Sequence, residues 1–133
     1  MISKVKYLGE LRTHAFHNKS GEILVTDAPL DNQGKGEAFS PTDLVATALA
    51  SCMLTIMGII AKRDGIDIGE VSADVDKFMS DNPRRIGEIR IKIIFKTQIQ
   101  KKDRIKIERA ARSCPVSGSL NSELIENVKF IYP

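Results

Sequence analysis

The apolar residues are concentrated in one long segment, residues 41–64, and we predict that this segment forms a central helix. Its apolar positions cover more than one face of a helix, which is typical of a helix that is buried on most sides. Ser40 can cap its beginning, and Gly65 can end it in a left-handed conformation. The polar exceptions recur every four residues and form one narrow stripe: Thr47, Ser51 and Thr55.

Alternation of apolar and polar positions predicts strands on both sides of this helix. The predicted strands cover residues 2–8, 11–17, 22–26, 71–79, 86–97 and 128–132. Two further segments have helical character, at residues 102–113 and 117–126. The first three strands follow one another through short turns, which favours an antiparallel meander. This order of strands and helices predicts one α+β domain over residues 1–133.

The predicted strands and short helices offer too little covering surface to enclose the helix of residues 41–64 within one chain. A homodimer, in which sheets of both subunits enclose two such helices, would remove this shortage. The helix also approaches the length that spans a membrane, yet its small and hydroxylated residues suit a packed core better. We therefore expect a homodimer and no membrane partner.

The composition narrows the classes of partner. The net charge is +3, the aromatic content is 5% and the chain has no Trp, so we expect no nucleic-acid partner. The first residues alternate like a strand and lack the apolar core of a signal peptide, so we expect a cytoplasmic protein. His14 and His17 would point to opposite faces of a strand, so we expect no shared metal.

The two cysteines are the candidate reactive groups. Cys52 lies well inside the central helix, where the helix dipole lowers a thiol pKa little, so its thiolate would need a cation from another element. Cys114 precedes Pro115 in a boundary segment, where we expect a thiol that can be reached. Two thiols without a secretion signal favour a redox role over a structural disulfide.

Four motifs in a fixed order resemble the OsmC/Ohr family of thiol peroxidases. They are FSPTDLVATALASC (residues 39–52), GIDI (65–68), NPRRI (82–86) and SCPVSGSL (113–120). The resemblance implies an intertwined homodimer, in which antiparallel sheets of both chains wrap around two long central helices. It also implies reduction of organic hydroperoxides, and more weakly of hydrogen peroxide, without a metal or a bound organic cofactor.

The same resemblance implies roles for individual residues. Cys52 lies where the family has its peroxide-attacking cysteine, and Cys114 lies where it has the resolving cysteine, which closes a disulfide. A dithiol, which is a lipoylated protein in part of the family, would reopen that disulfide. Met53 and Met57 would shape an apolar pocket for the substrate.

The activating group departs from the family pattern. Well-studied members have a glutamate at the start of the central helix that orients an arginine from an early strand, and this chain has Thr42 at that position. Arg12 is the best candidate for the arginine, and Glu37 and Asp43 are the nearest carboxylates that could hold it. A second hypothesis is therefore an OsmC-like binding or redox-sensing protein, with an apolar pocket at the dimer interface and little peroxidase activity. A third is a structural dimer with inert thiols.

Overall fold

The structure is a computed structural model that describes all residues from 1 to 133, and it has the α+β architecture that the sequence predicts. The elements in chain order are β1 (Ser3–Gly9), β2 (Arg12–His17), β3 (Ile23–Asp27), a short 3-10 helix (Leu30–Asn32), α1 (Pro41–Asp64), β4 (Val71–Ser80), β5 (Arg85–Phe95), α2 (Lys101–Arg112), α3 (Pro115–Ser119) and β6 (Ile125–Ile131). The chain divides into two compact units, residues 1–45 and 46–133.

Helix α1 has the bounds that the capping residues predict. The amide of Asp43 donates to Oγ of Ser40 (3.0 Å), and the amide of Ser40 donates to Oδ2 of Asp43 (2.9 Å). This reciprocal pair satisfies two amides at the beginning of the helix. At the other end Gly65 has a φ of +66°, and the amide of Ile66 donates to the carbonyl of Ala61 (2.9 Å). The left-handed residue thus ends the helix by satisfying one of its last carbonyls.

The first unit contains the predicted antiparallel meander, with the strand order β1-β2-β3. The register pairs Val5 with Ala15 and Ala15 with Leu24, so these three residues share one face of the sheet. On the same face Val5 is 62% exposed and Tyr7 is 66% exposed. This sheet therefore presents apolar side chains to solvent on the face that carries Val5.

The second unit contains the sheet β4-β5-β6, and here one part of the prediction is wrong. Strands β4 and β5 form the expected antiparallel hairpin, but β6 pairs with β5 in parallel, with Glu88 opposite Ile125. A parallel pair needs a long crossover, and α2 and α3 between the two strands provide it. The predicted helix at residues 117–126 is also displaced, because α3 begins already at Pro115 and β6 at Ile125.

The hydrophobic core of the second unit lies between this sheet and the helices. Alternate residues of β5 face it, and on α1 the buried side includes Leu49 and Met57, both 0% exposed. The buried residues of β5 are Ile89, Ile91, Ile93 and Phe95. Ser51 and Thr55, in the predicted polar stripe of α1, are exposed. Helix α1 is long and apolar enough to cross a membrane by length and composition, with a mean hydropathy of 2.2, and 33% of that segment is buried within the chain.

Candidate functional site

The second unit brings the two cysteines together. Both thiols are free, and Cys52 packs against the core that contains Cys114. Cys52 is half-buried in α1, whereas Cys114, between α2 and α3, is 1% exposed. A disulfide between them requires Cα atoms within about 4.4–6.8 Å, and that pairing stays a prediction. The attacking and resolving roles themselves stay predictions.

The surroundings of Cys114 differ from the expectation of a reachable thiol. Cys114 is the N-cap of α3 and Pro115 is its first residue, so the side chain turns back over the helix. Its Sγ accepts a hydrogen bond from the backbone amide of Ser117 at 3.4 Å. The thiol packs in the core of the second unit, among residues that include Ile107 and Ala111. The capping role therefore buries the thiol in a segment that the sequence suggests is a surface boundary.

Burial and hydrogen bonding act on the pKa of Cys114 in opposite directions. Burial in the core raises the pKa of the thiol, because desolvation disfavours the thiolate, and the contact with Cys52 also raises it. The amides of Ser117 and Val116 lower it, but less than burial raises it. Cys114 is therefore held mainly as a neutral thiol.

A side-chain hydrogen bond fixes α3 against β6. Oγ of Ser117 donates to Oε2 of Glu126 at 2.9 Å. Glu126 lies on the half-buried side of β6, which alternates with exposed residues along the strand. Because the amide of the same serine donates to Cys114, this bond also fixes the donor at the sulfur.

The first unit contains a separate charged cluster around Arg12. Its guanidinium binds Asp27 through two hydrogen bonds, from Nε to Oδ1 (2.7 Å) and from Nη2 to Oδ2 (2.8 Å). Nη2 also donates to Oε2 of Glu37 at 3.1 Å. The Asp27 side chain is 1% exposed and that of Arg12 is 33% exposed. A paired, planar contact of this kind fixes the orientation of the guanidinium.

The loop after β3 brings Glu37 to this cluster. The amide of Asp27 donates to the carbonyl of Phe39 (3.0 Å), and the amide of Glu37 donates to Oδ2 of Asp27 (3.2 Å). The loop closes tightly at Gly34, where a Cβ would lie 1.7 Å from the carbonyl oxygen of Ala28. Only a residue without a side chain fits there, and the fold of the loop therefore depends on that glycine.

Of the two carboxylates proposed to hold Arg12, the structure places Glu37 against it and places Asp43 in the capping box of α1. Asp27, the principal partner, is missing from the sequence-based candidates. The register of the hairpin could have identified Asp27, because β2 and β3 pair Arg12 directly with Asp27. Met53 and Met57 are 1% and 0% exposed, so within one chain they are core residues. Their role in binding substrate stays a prediction.

No group of three or more His, Cys, Asp or Glu residues in the chain could hold a metal ion. The Nδ1 atom of His17 lies 2.6 Å from Oγ of Ser20, in the turn after β2. His14 pairs with Val25 in the same sheet.

The arginine cluster predicts a pH-dependent effect of Asp27→Asn. The hydrogen bonds from Arg12 hold the pKa of Asp27 below its ordinary value. A carboxylate with a lowered pKa in the folded state stabilises the protein above its unfolded pKa of about 3.9, and this stabilisation is lost as the pH falls through the folded value. We therefore expect the variant to be less stable than the wild type at neutral pH, with a difference that shrinks in acid.

Urea unfolding at neutral pH and at several acidic pH values measures this difference. Glu22→Gln, which changes the same charge at an exposed position, is the matched control and should show no such trend. A difference in stability that is constant across the acid range would contradict the assignment.

Many solved structures share this fold, among them the following three. One is a protein from Psychrobacter arcticus 273-4 that is described as a candidate osmotic stress induced and detoxification response protein. It is 48% identical to this chain, and the match covers 98% of this chain and 95% of that chain, with a TM-score of 0.94. An organic hydroperoxide resistance protein OsmC from Legionella pneumophila is 18% identical over 99% of this chain and 96% of that one, with a TM-score of 0.74. The organic hydroperoxide resistance protein OhrB of Bacillus subtilis is 20% identical over 100% and 98%, with a TM-score of 0.68.

The fold is that of an α+β protein with a long central helix, and in this chain that helix carries Cys52 while the cap of a short helix carries Cys114. The chain belongs to the OsmC-like protein family, whose model matches residues 34–127. No protein with a curated description matches this chain. The family includes proteins described as organic hydroperoxide resistance proteins. These proteins are at most 20% identical to this chain, so their likeness to it is one of fold.

Proposed function

We propose that this protein is a homodimeric reductase of organic hydroperoxides, and more weakly of hydrogen peroxide, with Cys52 and Cys114 as its redox pair. The observation that carries the proposal is that both cysteines lie at the same hydrophobic core within one compact unit. Hydroperoxide resistance in the names of structural relatives supports the same chemistry. The proposed site of action is the cytoplasm.

The chemistry runs in two steps that balance. The thiolate of Cys52 attacks one peroxide oxygen, the O–O bond breaks, and the alcohol leaves after taking up a proton, so that Cys52 becomes a sulfenic acid. The thiol of Cys114 then attacks the Cys52 sulfur, and water leaves with the thiol proton as the disulfide forms. A dithiol, proposed to be carried by a lipoylated protein, restores both thiols and is itself oxidised. The scheme needs no metal and no bound cofactor.

Arg12 is the proposed cation for the Cys52 thiolate. Burial disfavours a thiolate, because it removes water from the negative charge. A guanidinium offsets this effect, since it is always charged and presents several hydrogen-bond donors in one plane. Asp27 and Glu37 hold its orientation in the first unit. These carboxylates would do what the glutamate at the helix start does elsewhere in the family, where this chain has Thr42.

The homodimer is supported by apolar surface that one chain leaves exposed. The face of β1-β2-β3 that carries Val5 and Tyr7 is open, and two thirds of the most apolar segment of α1 is not buried within the chain. We expect a buried interface above roughly 2,000 Å², as in obligate homodimers. Sedimentation equilibrium at micromolar concentration should give the mass of two chains, and a stable folded monomer would contradict the dimer.

Thiol counting tests the proposed reaction. One equivalent of cumene hydroperoxide per subunit should remove both titratable thiols, with formation of one equivalent of cumyl alcohol, because each turnover oxidises the pair once. With excess dithiothreitol the protein should turn over repeatedly. A protein whose thiols survive the peroxide, or whose thiols oxidise without turnover, would instead be the binding or redox-sensing protein of the second hypothesis.

A further inference from the structure

The hydrogen bond between Ser117 and Glu126 joins the segment of Cys114 to the sheet of the second unit. We propose that Ser117 and Glu126 are positioning residues for the closure of the disulfide between Cys114 and Cys52. The inference rests on the proposed function, and it adds two residues that act only through the sulfur of Cys114.

Glu126 is an acidic residue on the side of β6 that faces the core. It pairs with Ile89 of β5, which is 0% exposed, and it is half-buried like Val128 on the same side of the strand. Ile125, an apolar residue, lies on the opposite side and is 59% exposed. A charge at a half-buried position costs free energy unless hydrogen bonds compensate for it. The bond from Oγ of Ser117 at 2.9 Å supplies such compensation.

Helix α3 depends on other elements for its position. It has five residues, and a helix of this length is not stable by itself. Apolar contacts of Val116 and Leu120 with the core hold its two ends. Such contacts have little direction, whereas the bond from Ser117 to Glu126 fixes the middle of the helix against β6.

Ser117 acts on Cys114 through its backbone amide. This amide donates to Sγ at 3.4 Å and so fixes where the capping side chain points. In the closing step the sulfur of Cys114 loses its proton and bonds to the sulfur of the Cys52 sulfenic acid, whose hydroxyl leaves with that proton as water. A hydrogen bond to a charged acceptor is stronger than one to a neutral acceptor, so the amide favours the attacking thiolate. A loosened Ser117 would weaken both the aim and the charge stabilisation of this sulfur.

Single-turnover kinetics separate the closing step from the attack on the peroxide. After one equivalent of cumene hydroperoxide per subunit, peroxide consumption gives the rate of attack, and the disulfide-linked fraction after an acid quench gives the rate of closure. Ser117→Ala should slow closure at least about fivefold, the equivalent of about 1 kcal/mol, which is typical of one hydrogen bond. The rate of attack should stay at the wild-type value, and Ser117→Thr, which keeps the hydroxyl, should restore closure.

Ser119→Ala is the matched control. Oγ of Ser119 donates to the carbonyl of Pro115 at 2.8 Å, so this variant loses a hydrogen bond within α3 and keeps the bond to β6. Its rate of closure should equal that of the wild type. A loss in Ser119→Ala as large as that in Ser117→Ala would assign the effect to the stability of the short helix and overturn the proposal.

Glu126→Val separates positioning from the stability of the fold. Valine suits this side of β6, as Val128 does, so the free energy of unfolding in urea should not fall, while the acceptor of the Ser117 hydroxyl is lost. Closure should slow as it does in Ser117→Ala. Wild-type closure in either variant, or a rate of closure that follows the urea midpoint across all variants, would contradict a positioning role.

Diamide closes the same disulfide without a peroxide, so it tests the inference apart from the proposed function. Closure by diamide should also be slower in Ser117→Ala than in Ser119→Ala. If diamide gives this difference while hydroperoxides oxidise neither cysteine of the wild type, the positioning role stands and the peroxidase function fails. Wild-type thiols that diamide cannot link would overturn the inference.

Discussion

Replacing Cys52 by serine should lower the rate of hydroperoxide reduction to that of a protein-free control. A serine hydroxyl has neither the acidity nor the nucleophilicity of a thiol, so no group in the variant can break the O–O bond. Cys114 cannot substitute, because it is 1% exposed and burial raises its pKa. Peroxide consumption in the presence of dithiothreitol measures the loss.

The matched variant is Cys114→Ser, which keeps the attacking thiol. Without a resolving thiol, the variant should consume about one equivalent of peroxide per subunit in a single turnover and accumulate a sulfenic acid at Cys52, which dimedone can trap. A Cys52→Ser protein that still turns over, together with an inactive Cys114→Ser protein, would reverse the two roles. Circular dichroism of both variants shows whether the fold is intact.

Arg12→Ala should slow the reduction of cumene hydroperoxide by at least about tenfold, the rate equivalent of about 1.4 kcal/mol. The guanidinium supplies both a fixed charge and a planar set of donors, and alanine removes both. Arg12→Lys keeps the charge but loses the two-pronged contact with Asp27, so its rate should fall between those of the wild type and the alanine variant. Initial rates at saturating reductant measure the effect.

The thiol pKa separates an electrostatic role of Arg12 from a loss of fold. If Arg12 activates Cys52, alkylation of that thiol by iodoacetamide should have a higher apparent pKa in Arg12→Ala than in the wild type. Asp27→Asn, which leaves the arginine in place but loosens it, should give a smaller change in the same direction. Wild-type turnover in Arg12→Ala would leave the peroxidase intact and show that another cation activates the thiol.

Local sequence signals predict most of the fold. The capping residues Ser40 and Gly65 give the bounds of α1 because the interactions that end a helix are made within a few residues. The same holds for the hairpins, where alternation and turn residues lie side by side in the sequence. The parallel pairing of β6 cannot be predicted in this way, because it depends on where α2 and α3 carry the chain rather than on residues of the strand.

The site was predicted only in part for the same reason. The cysteines stand out as the two thiols of the chain, but the burial of Cys114 arises from its packing against residues distant in sequence. The sequence does not single out Asp27, because this residue ends β3 and its polar side chain is equally typical of the beginning of a loop. Its contact with Arg12 follows from hairpin register, a pairwise property that periodicity along one segment does not contain.

The parallel pairing of β6 also imposes an order on biosynthesis. Strand β5 is the central strand of its sheet, yet its partner on one side is residues 125–131, which are synthesised after residues 85–95. During that interval one edge of β5 has unpaired amides and carbonyls, and such edges promote association between chains. Until β6 is in place, this edge of β5 is therefore open to pairing with another chain. Glu126, which accepts the hydrogen bond from Ser117 next to Cys114, lies in β6. The bond that holds this serine can therefore form only after β6 has joined the sheet.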